Sequence, residues 1–215
     1  MTSICLDDVA RVLGQHTAHY RRRPPVYQAT MLADLAAVWR GPHDNLLDVG
    51  GGTGVMAEAM QALLPVGRVV AIDVVDRYFP TLTVETRVYD GTTLPFADSS
   101  FDAATINNVM HHVPPAVRPG LMREISRVVR GPIYIKDHLP TGRLDELRLG
   151  LLDAIGNIPF GGQVDASYLR ADEWSVLAHA AGRRIGETRR GTYREGVMAV
   201  VFPNRLEVTY RLDPE

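Results

Sequence analysis

The chain has 215 residues, 46% of them hydrophobic, which is enough for one domain with a sizeable core. A formal net charge of −2 excludes the basic footprint of a nucleic-acid binder, and no apolar run approaches membrane-spanning length. The single cysteine, Cys5, rules out an intrachain disulfide framework, and an acidic rather than basic and apolar N-terminal stretch carries no targeting signal, so the expected location is the cytoplasm.

Val9, Val12 and Leu13 share a helical face, and this first helix is broken by "RRRPP" at 21–25. The three arginines read as solvated surface or as a contact for an anionic ligand. Leu32, Leu35, Ala36 and Trp39 recur at helical spacing and end near Gly41-Pro42. An alternation follows: a strand at 46–49, a helix at 55–64, strands at 68–72 and 83–89, a fourth strand at 101–106, a helix over 117–129 and a fifth strand at 133–135. Strands alternating with helices predict a doubly wound, mostly parallel α/β sheet covered on both faces. Beyond Lys136 the pattern predicts a helix over 141–155, a glycine-bearing loop at 156–162, a helix over 171–181, and two final strands at 184–188 and 197–202 forming a hairpin. The chain therefore divides, within one domain, into N-terminal helices (1–43), a ligand-binding core (44–138), a helical insertion after strand five (139–182) and C-terminal strands (183–215).

The stretch "LLDVGGGTG" (46–54) places four glycines between the first strand and the next helix. Such a turn lets the backbone approach a ligand and presents amide donors at a helix N-terminus. The dinucleotide fingerprint G-x-G-x-x-G/A fails from Gly50, because Val55 holds the third place. From Gly52 it is formally met by Gly54 and Ala57, but that leaves an acid and two glycines ahead of it unused. The alternative grammar is acid-x-Gly-x-Gly-x-Gly, read as Asp48, Gly50, Gly52 and Gly54. A pyrophosphate beside Asp48 would be repelled, which disfavours a nicotinamide dinucleotide.

With these residues the sequence resembles the class I S-adenosylmethionine-dependent methyltransferases, in the small-molecule, ubiquinone/menaquinone-biosynthesis-like type 11 subgroup. The resemblance runs from about Asp44 to Asp137 and rests on "LLDVGGGTG", "VVAIDVVD", "DGTTLPFADSSFD", "NNVMHHV" and "LMREISRVVRGPIYIKD". It departs at Arg130-Gly131-Pro132, where many relatives carry Pro-Gly-Gly; a turn rather than the cofactor site is expected to change. The resemblance implies a Rossmann-like, seven-stranded sheet, S-adenosylmethionine as cofactor, and the assignments that the chemistry also favours. Asp73, at the end of the second strand and near the spacing of a ribose acid, suits the ribose diol. Asp90 suits the adenine amino group, with an amide from Gly91 or Thr92. Asp48, with backbone carbonyls near Asn107, suits the ammonium of the methionine part.

Methyl transfer from a sulfonium is an in-line displacement, so positioning supplies much of the rate and a base is needed only for a protonated nucleophile. In open α/β sheets the ligand lies beyond the carboxyl ends of the strands. His111 and His112 follow strand four and Asp137 and His138 follow strand five, so His111, His112 and Asp137 are the catalytic candidates, each weighed against a packing or capping role. Asp137 and His138, adjacent in a strand, would point oppositely unless a turn intervened. His16, His19 and Tyr20 form either an ordinary helix face or a lid over the cofactor. Asp153, Asn157 and Phe160 surround the glycine-bearing loop, which suits a substrate lid or a surface excursion. Asn107, Asn108 and Asp137 do not supply the oxygen ligands a hard cation wants, so no metal is expected. The expected acceptor is a small molecule. A nucleic-acid or protein methyltransferase and a non-catalytic binding protein of the same fold are the alternatives; "NNVMHH" lacks the aromatic and prolines expected for base methylation. Neither nucleic acid nor membrane is expected as a partner, and the sequence leaves room for a homodimer.

Overall fold

The computed structural model describes residues 4–157 and 165–215. Three helices open the chain, α1 (Leu6–His16), α2 (Ala18–Arg22) and α3 (Val26–Val38), followed by β1 (His43–Val49), α4 (Val55–Leu63), β2 (Val66–Asp73), β3 (Glu85–Val88) and β4 (Ala103–Asn107). A short 3₁₀ turn, Met110–His112, leads to α5 (Arg118–Val128) and β5 (Ile133–His138). Then come α6 (Arg143–Asn157), α7 (Ala171–His179), β6 (Arg183–Arg189), α8 (Gly196–Val201) and β7 (Glu207–Pro214). The loop expected over 156–162, with Phe160, lies outside the described residues except for its first two positions, which close α6.

The seven strands form one sheet in the order β3-β2-β1-β4-β5-β7-β6. β7 is the one reversed strand, antiparallel to both β5 and β6. The α/β, doubly wound, mostly parallel architecture is as expected, with its crossover point between β1 and β4. Period-two alternation sorts the side chains of β1 and β2 between two cores. Leu47, Val49, Val70 and Ile72 pack with Leu121, Met122, Ile125 and Trp174, while Leu46, Val69 and Ala71 pack with Leu13, Leu32, Leu35 and Met60.

The final hairpin is a correction. Residues 197–202 are not a strand: 197–201 fall in α8, Phe202 is its C-cap, and β6 pairs instead with β7. The run "VMAVV" is continuous rather than alternating, a pattern that does not separate strand from helix. β7 alternates through Val208, Tyr210 and Leu212, yet it lies between two strands and is buried on both faces, with Thr209 and Glu207 also inside. The departure at Arg130-Gly131-Pro132 makes a turn fixed by the buried Arg183, which donates to the carbonyls of Gly131, Val129 and Ser126. None of these residues lines the cavity described next.

Candidate active site

β1 ends at Val49, and the chain turns sharply: the amides of Gly50 and Gly51 both donate to the Ile72 carbonyl, at 2.8 and 2.9 Å. Gly50 has φ +76°, and a Cβ there would stand 2.3 Å from Val109 Cγ2. No L-residue fits. Gly52, at φ +58°, faces open space instead, with nothing within 4 Å of the place a Cβ would take. That is the surface at which a ligand can reach the backbone. Gly54, also left-handed, is the N-cap of α4.

Two carboxylates flank this turn. Asp48 is buried and accepts from Thr105 Oγ1 at 2.7 Å and Asn107 Nδ2 at 3.4 Å. Burial pushes its pKa up to about 6, partly offset by these hydrogen bonds, and the neighbouring Asp73 charge adds to the rise. Asp73 accepts from the Gly52 amide at 2.8 Å and the Val75 amide at 3.0 Å, and Arg77 lies 3.6 Å away. A carboxylate has about four lone-pair sites, so Asp73 retains acceptor capacity toward the cavity.

Asp48, Asp73, Gly50, Gly52, Gly91 and Asn107 line one cavity of about 430 Å³ beyond the carboxyl ends of β1, β2 and β4. Gly54 and Asp90 do not. The exposed Asp90 carboxylate accepts through Oδ1 from the amides of Thr92 and Thr93 and the Thr92 hydroxyl, closing its own turn. Burial leaves Asn107 Oδ1 without a hydrogen bond.

The remaining wall comes from residues with no motif. Tyr20 of α2 and Tyr27, Gln28 and Met31 of α3 cover the cavity from the N-terminal segment. Gln28 Nε2 donates to the Tyr20 hydroxyl at 3.2 Å, and Asn108 Nδ2 donates to the Tyr27 hydroxyl at 2.7 Å. Asn108 has φ +55°, the left-handed conformation that asparagine tolerates best after glycine. His16 and His19 are not among the lining residues, nor are Arg21, Arg22 and Arg23, which are exposed.

The histidine pair divides. His112 lines the cavity, and its Nδ1 lies 2.9 Å from the Asp165 carbonyl, which places a proton on Nδ1 and the lone pair on Nε2. Burial and the neighbouring His111 hold its pKa below the usual histidine value. His111 is buried behind it, with Nδ1 on the Asp137 carboxylate and Nε2 facing Asp153 Oδ2 at 3.4 Å. Asp137 thus meets the ring of His111 and, from its chain neighbour His138, accepts the backbone amide at 2.7 Å. Although burial opposes ionisation, its pKa is lowered, chiefly by His111. His138 stands 3.4 Å from both Asp153 Oδ1 and Glu207 Oε2; burial lowers its pKa, but these carboxylates outweigh that and push it up to about 10.

The family model for a methyltransferase domain matches residues 47–132, which contain both carboxylates, the glycine turn and the histidine pair. This segment is a methyltransferase domain, and the sheet around it has the Rossmann-like fold of the S-adenosylmethionine-dependent methyltransferases. Solved structures with the same fold include the protein described as a methyltransferase in complex with the Trm112 methyltransferase activator from Haloferax volcanii, 16% identical, covering 99% of each chain with a TM-score of 0.68. An S-adenosylmethionine-dependent methyltransferase from Mesorhizobium loti is 12% identical over 87% of this chain and 99% of that one, with a TM-score of 0.64. Geranyl diphosphate methyltransferase in complex with geranyl diphosphate and sinefungin is 16% identical over 91% and 79% of the two chains, with a TM-score of 0.62. No curated relative matches the sequence significantly.

S-adenosylmethionine is the methyltransferase's cofactor, and the cavity suits its chemistry. It offers buried carboxylates to a cationic, diol-bearing ligand, a bare glycine surface for close approach, and an orphaned Asn107 carbonyl oxygen. Among the described residues no helix is long and apolar enough to cross a membrane.

Proposed function

We propose that the methyltransferase acts on a small-molecule acceptor, held against the cofactor beneath Tyr20, Tyr27 and Gln28, with His112 as the group facing the acceptor. Asp73 takes the ribose hydroxyls and Asp48, with Asn107, the ammonium; the glycine turn at Gly50, Gly52 and Gly54 lets the cofactor approach the backbone. Asp90 and Gly91 border the adenine end, Gly91 from the cavity wall and Asp90 by shaping the turn. When bound, the cofactor supplies an electrophilic methyl group on its sulfonium.

The chain's own residues do the rest. Tyr20, Tyr27 and Gln28 cover the cavity and exclude water. His112 Nε2 takes the proton when the acceptor is an O–H or N–H group. His111 and Asp137 do not line the cavity; they support His112 from behind, the His111 ring lying 4.1 Å from the His112 ring.

The observation that carries the small-molecule reading is the covered cavity. Its wall on the N-terminal side, Tyr20, Tyr27, Gln28 and Met31, carries no charge, and Arg77, the cation lining it among the described residues, lies against Asp73. A polyanion would need a basic track. Isotope-labelled S-adenosylmethionine, incubated with the protein and separately with metabolite, nucleic-acid and protein fractions of a cell extract, tests this. Label in the metabolite fraction is expected. Label confined to nucleic acid or protein would overturn the reading.

A further inference from the structure

We propose that His111, His138 and Asp153 form a binding site for one divalent transition-metal ion of the zinc class, independent of the methyl-transfer reading. The three side chains come from three elements: the 3₁₀ turn after β4, the end of β5, and α6. All three are buried, and one donor atom from each lies within 4.8 Å of the others. The donors meet face to face. His111 Nε2 is 3.4 Å from Asp153 Oδ2, and His138 Nε2 is 3.4 Å from Asp153 Oδ1.

The second observation is what stands behind each donor. Metal-bound histidine characteristically presents its other ring nitrogen to a carboxylate or carbonyl, which fixes the ring and its tautomer. Here His111 Nδ1 is held by Asp137, and His138 Nδ1 faces Glu207. Asp153 is oriented by the Tyr168 hydroxyl, and Glu207 in turn by Lys136 at 2.8 Å and by Arg194. Both imidazoles therefore turn Nε2 inward to the same carboxylate. His111 Nε2 is buried, aimed into this space, and makes no hydrogen bond.

Two imidazole nitrogens and one carboxylate oxygen are the donor set of zinc and its first-row neighbours, not of calcium or magnesium, which prefer all-oxygen shells. Zinc lies about 2.0–2.2 Å from imidazole and carboxylate donors, and the 3.4 Å separations of the two Nε2 atoms from the Asp153 oxygens are of the order found between ligands of one such ion. Bound there, the ion ties α6 to β5 and to the turn that carries His112 into the cavity. The competing occupant is a proton: a doubly protonated His138 ring would point Nε2–H at Asp153 and Nδ1–H at Glu207.

Zinc titrated by calorimetry, and cobalt(II) by visible absorption, into chelator-treated protein separate the two. One equivalent of zinc and ligand-field bands of four- or five-coordinate cobalt are expected. Asp153→Asn and His138→Gln should each weaken zinc binding by about 100-fold or more, and Asp137→Asn by about 10-fold or more. His16→Gln, remote from the cluster, should bind as the parent does. Failure of the parent protein to take up either ion, with its circular dichroism intact, overturns the proposal and leaves the proton as occupant. So does equal zinc affinity in His138→Gln and His16→Gln.

Discussion

The Gly52 amide donates to the Asp73 carboxylate at 2.8 Å, tying the glycine turn after β1 to the end of the neighbouring strand β2. This bond fixes the Asp73 side chain at the cavity wall before any ligand arrives, and it uses an amide that the turn has left without a strand partner. Pre-orientation of this kind lowers the cost of binding because the acceptor is already in place.

Replacing Asp73 should therefore strike binding harder than folding. Asp73→Ala is expected to weaken S-adenosylhomocysteine by about 2 kcal/mol or more, the scale of lost charge-assisted hydrogen bonds. Isothermal titration reads this directly. An unchanged dissociation constant would reduce Asp73 to a turn residue.

Asp48 carries the opposite balance. Its folded-state pKa, about 6, lies above the ordinary carboxylate value because the group is buried. Ionising it thus costs the free protein stability, a cost absent below about pH 4 and fully present above pH 6. Asp48→Asn keeps the Thr105 hydrogen bond and removes the charge. It should stabilise the ligand-free protein by about 1–3 kcal/mol at pH 8 and by little at pH 4, in urea unfolding. Cofactor affinity should fall in the same variant, and in the parent protein it should fall as pH drops below 6. A variant no more stable at pH 8 than the parent would contradict the assignment.

How far could this site be read from the sequence? The strand ends were legible because a parallel sheet buries its strands and stops them at polar residues, and Asp48 and Asp73 do line one cavity. The glycine turn was legible because its positive φ angles admit little else. Tyr27 and Gln28 were not, and Asn108 stood out only as a weak metal ligand. They carry no spacing signal, and their arrival depends on how α2 and α3 fold back over the sheet. The histidine pair was visible, but not which member faces the cavity, since that is decided by the 3₁₀ turn after β4. Asp153 was noted only as a loop neighbour; its approach to His111 and His138 depends on the path of α6. The final strand was misplaced because β7 is buried on both faces, and its alternation is not the half-exposed kind that marks an edge.

His112 faces the cavity, so its loss should affect turnover rather than cofactor binding. His112→Ala is expected to lower kcat by roughly 100-fold for an O–H or N–H acceptor, with S-adenosylhomocysteine affinity nearly unchanged. Steady-state kinetics with the identified acceptor measure it. Near-normal turnover would mean that positioning suffices and that the ring only packs the loop.

Glu207 is the anchor of the buried polar cluster, receiving Lys136 and Arg194 and facing His138. Glu207→Ala leaves those cations uncompensated in the interior and should destabilise the fold by about 3–5 kcal/mol. Chemical denaturation of the variant against the parent gives the value. A loss under 1 kcal/mol would show that water or rearrangement satisfies the cluster.

The account rests on a cavity built for a cationic, diol-bearing cofactor with no phosphate. Calorimetric titration of the purified protein with S-adenosylhomocysteine and, separately, with NAD tests it most directly. Saturable binding of S-adenosylhomocysteine at one site per chain, with none for NAD, is the expected result. Binding of NAD without binding of S-adenosylhomocysteine would contradict it.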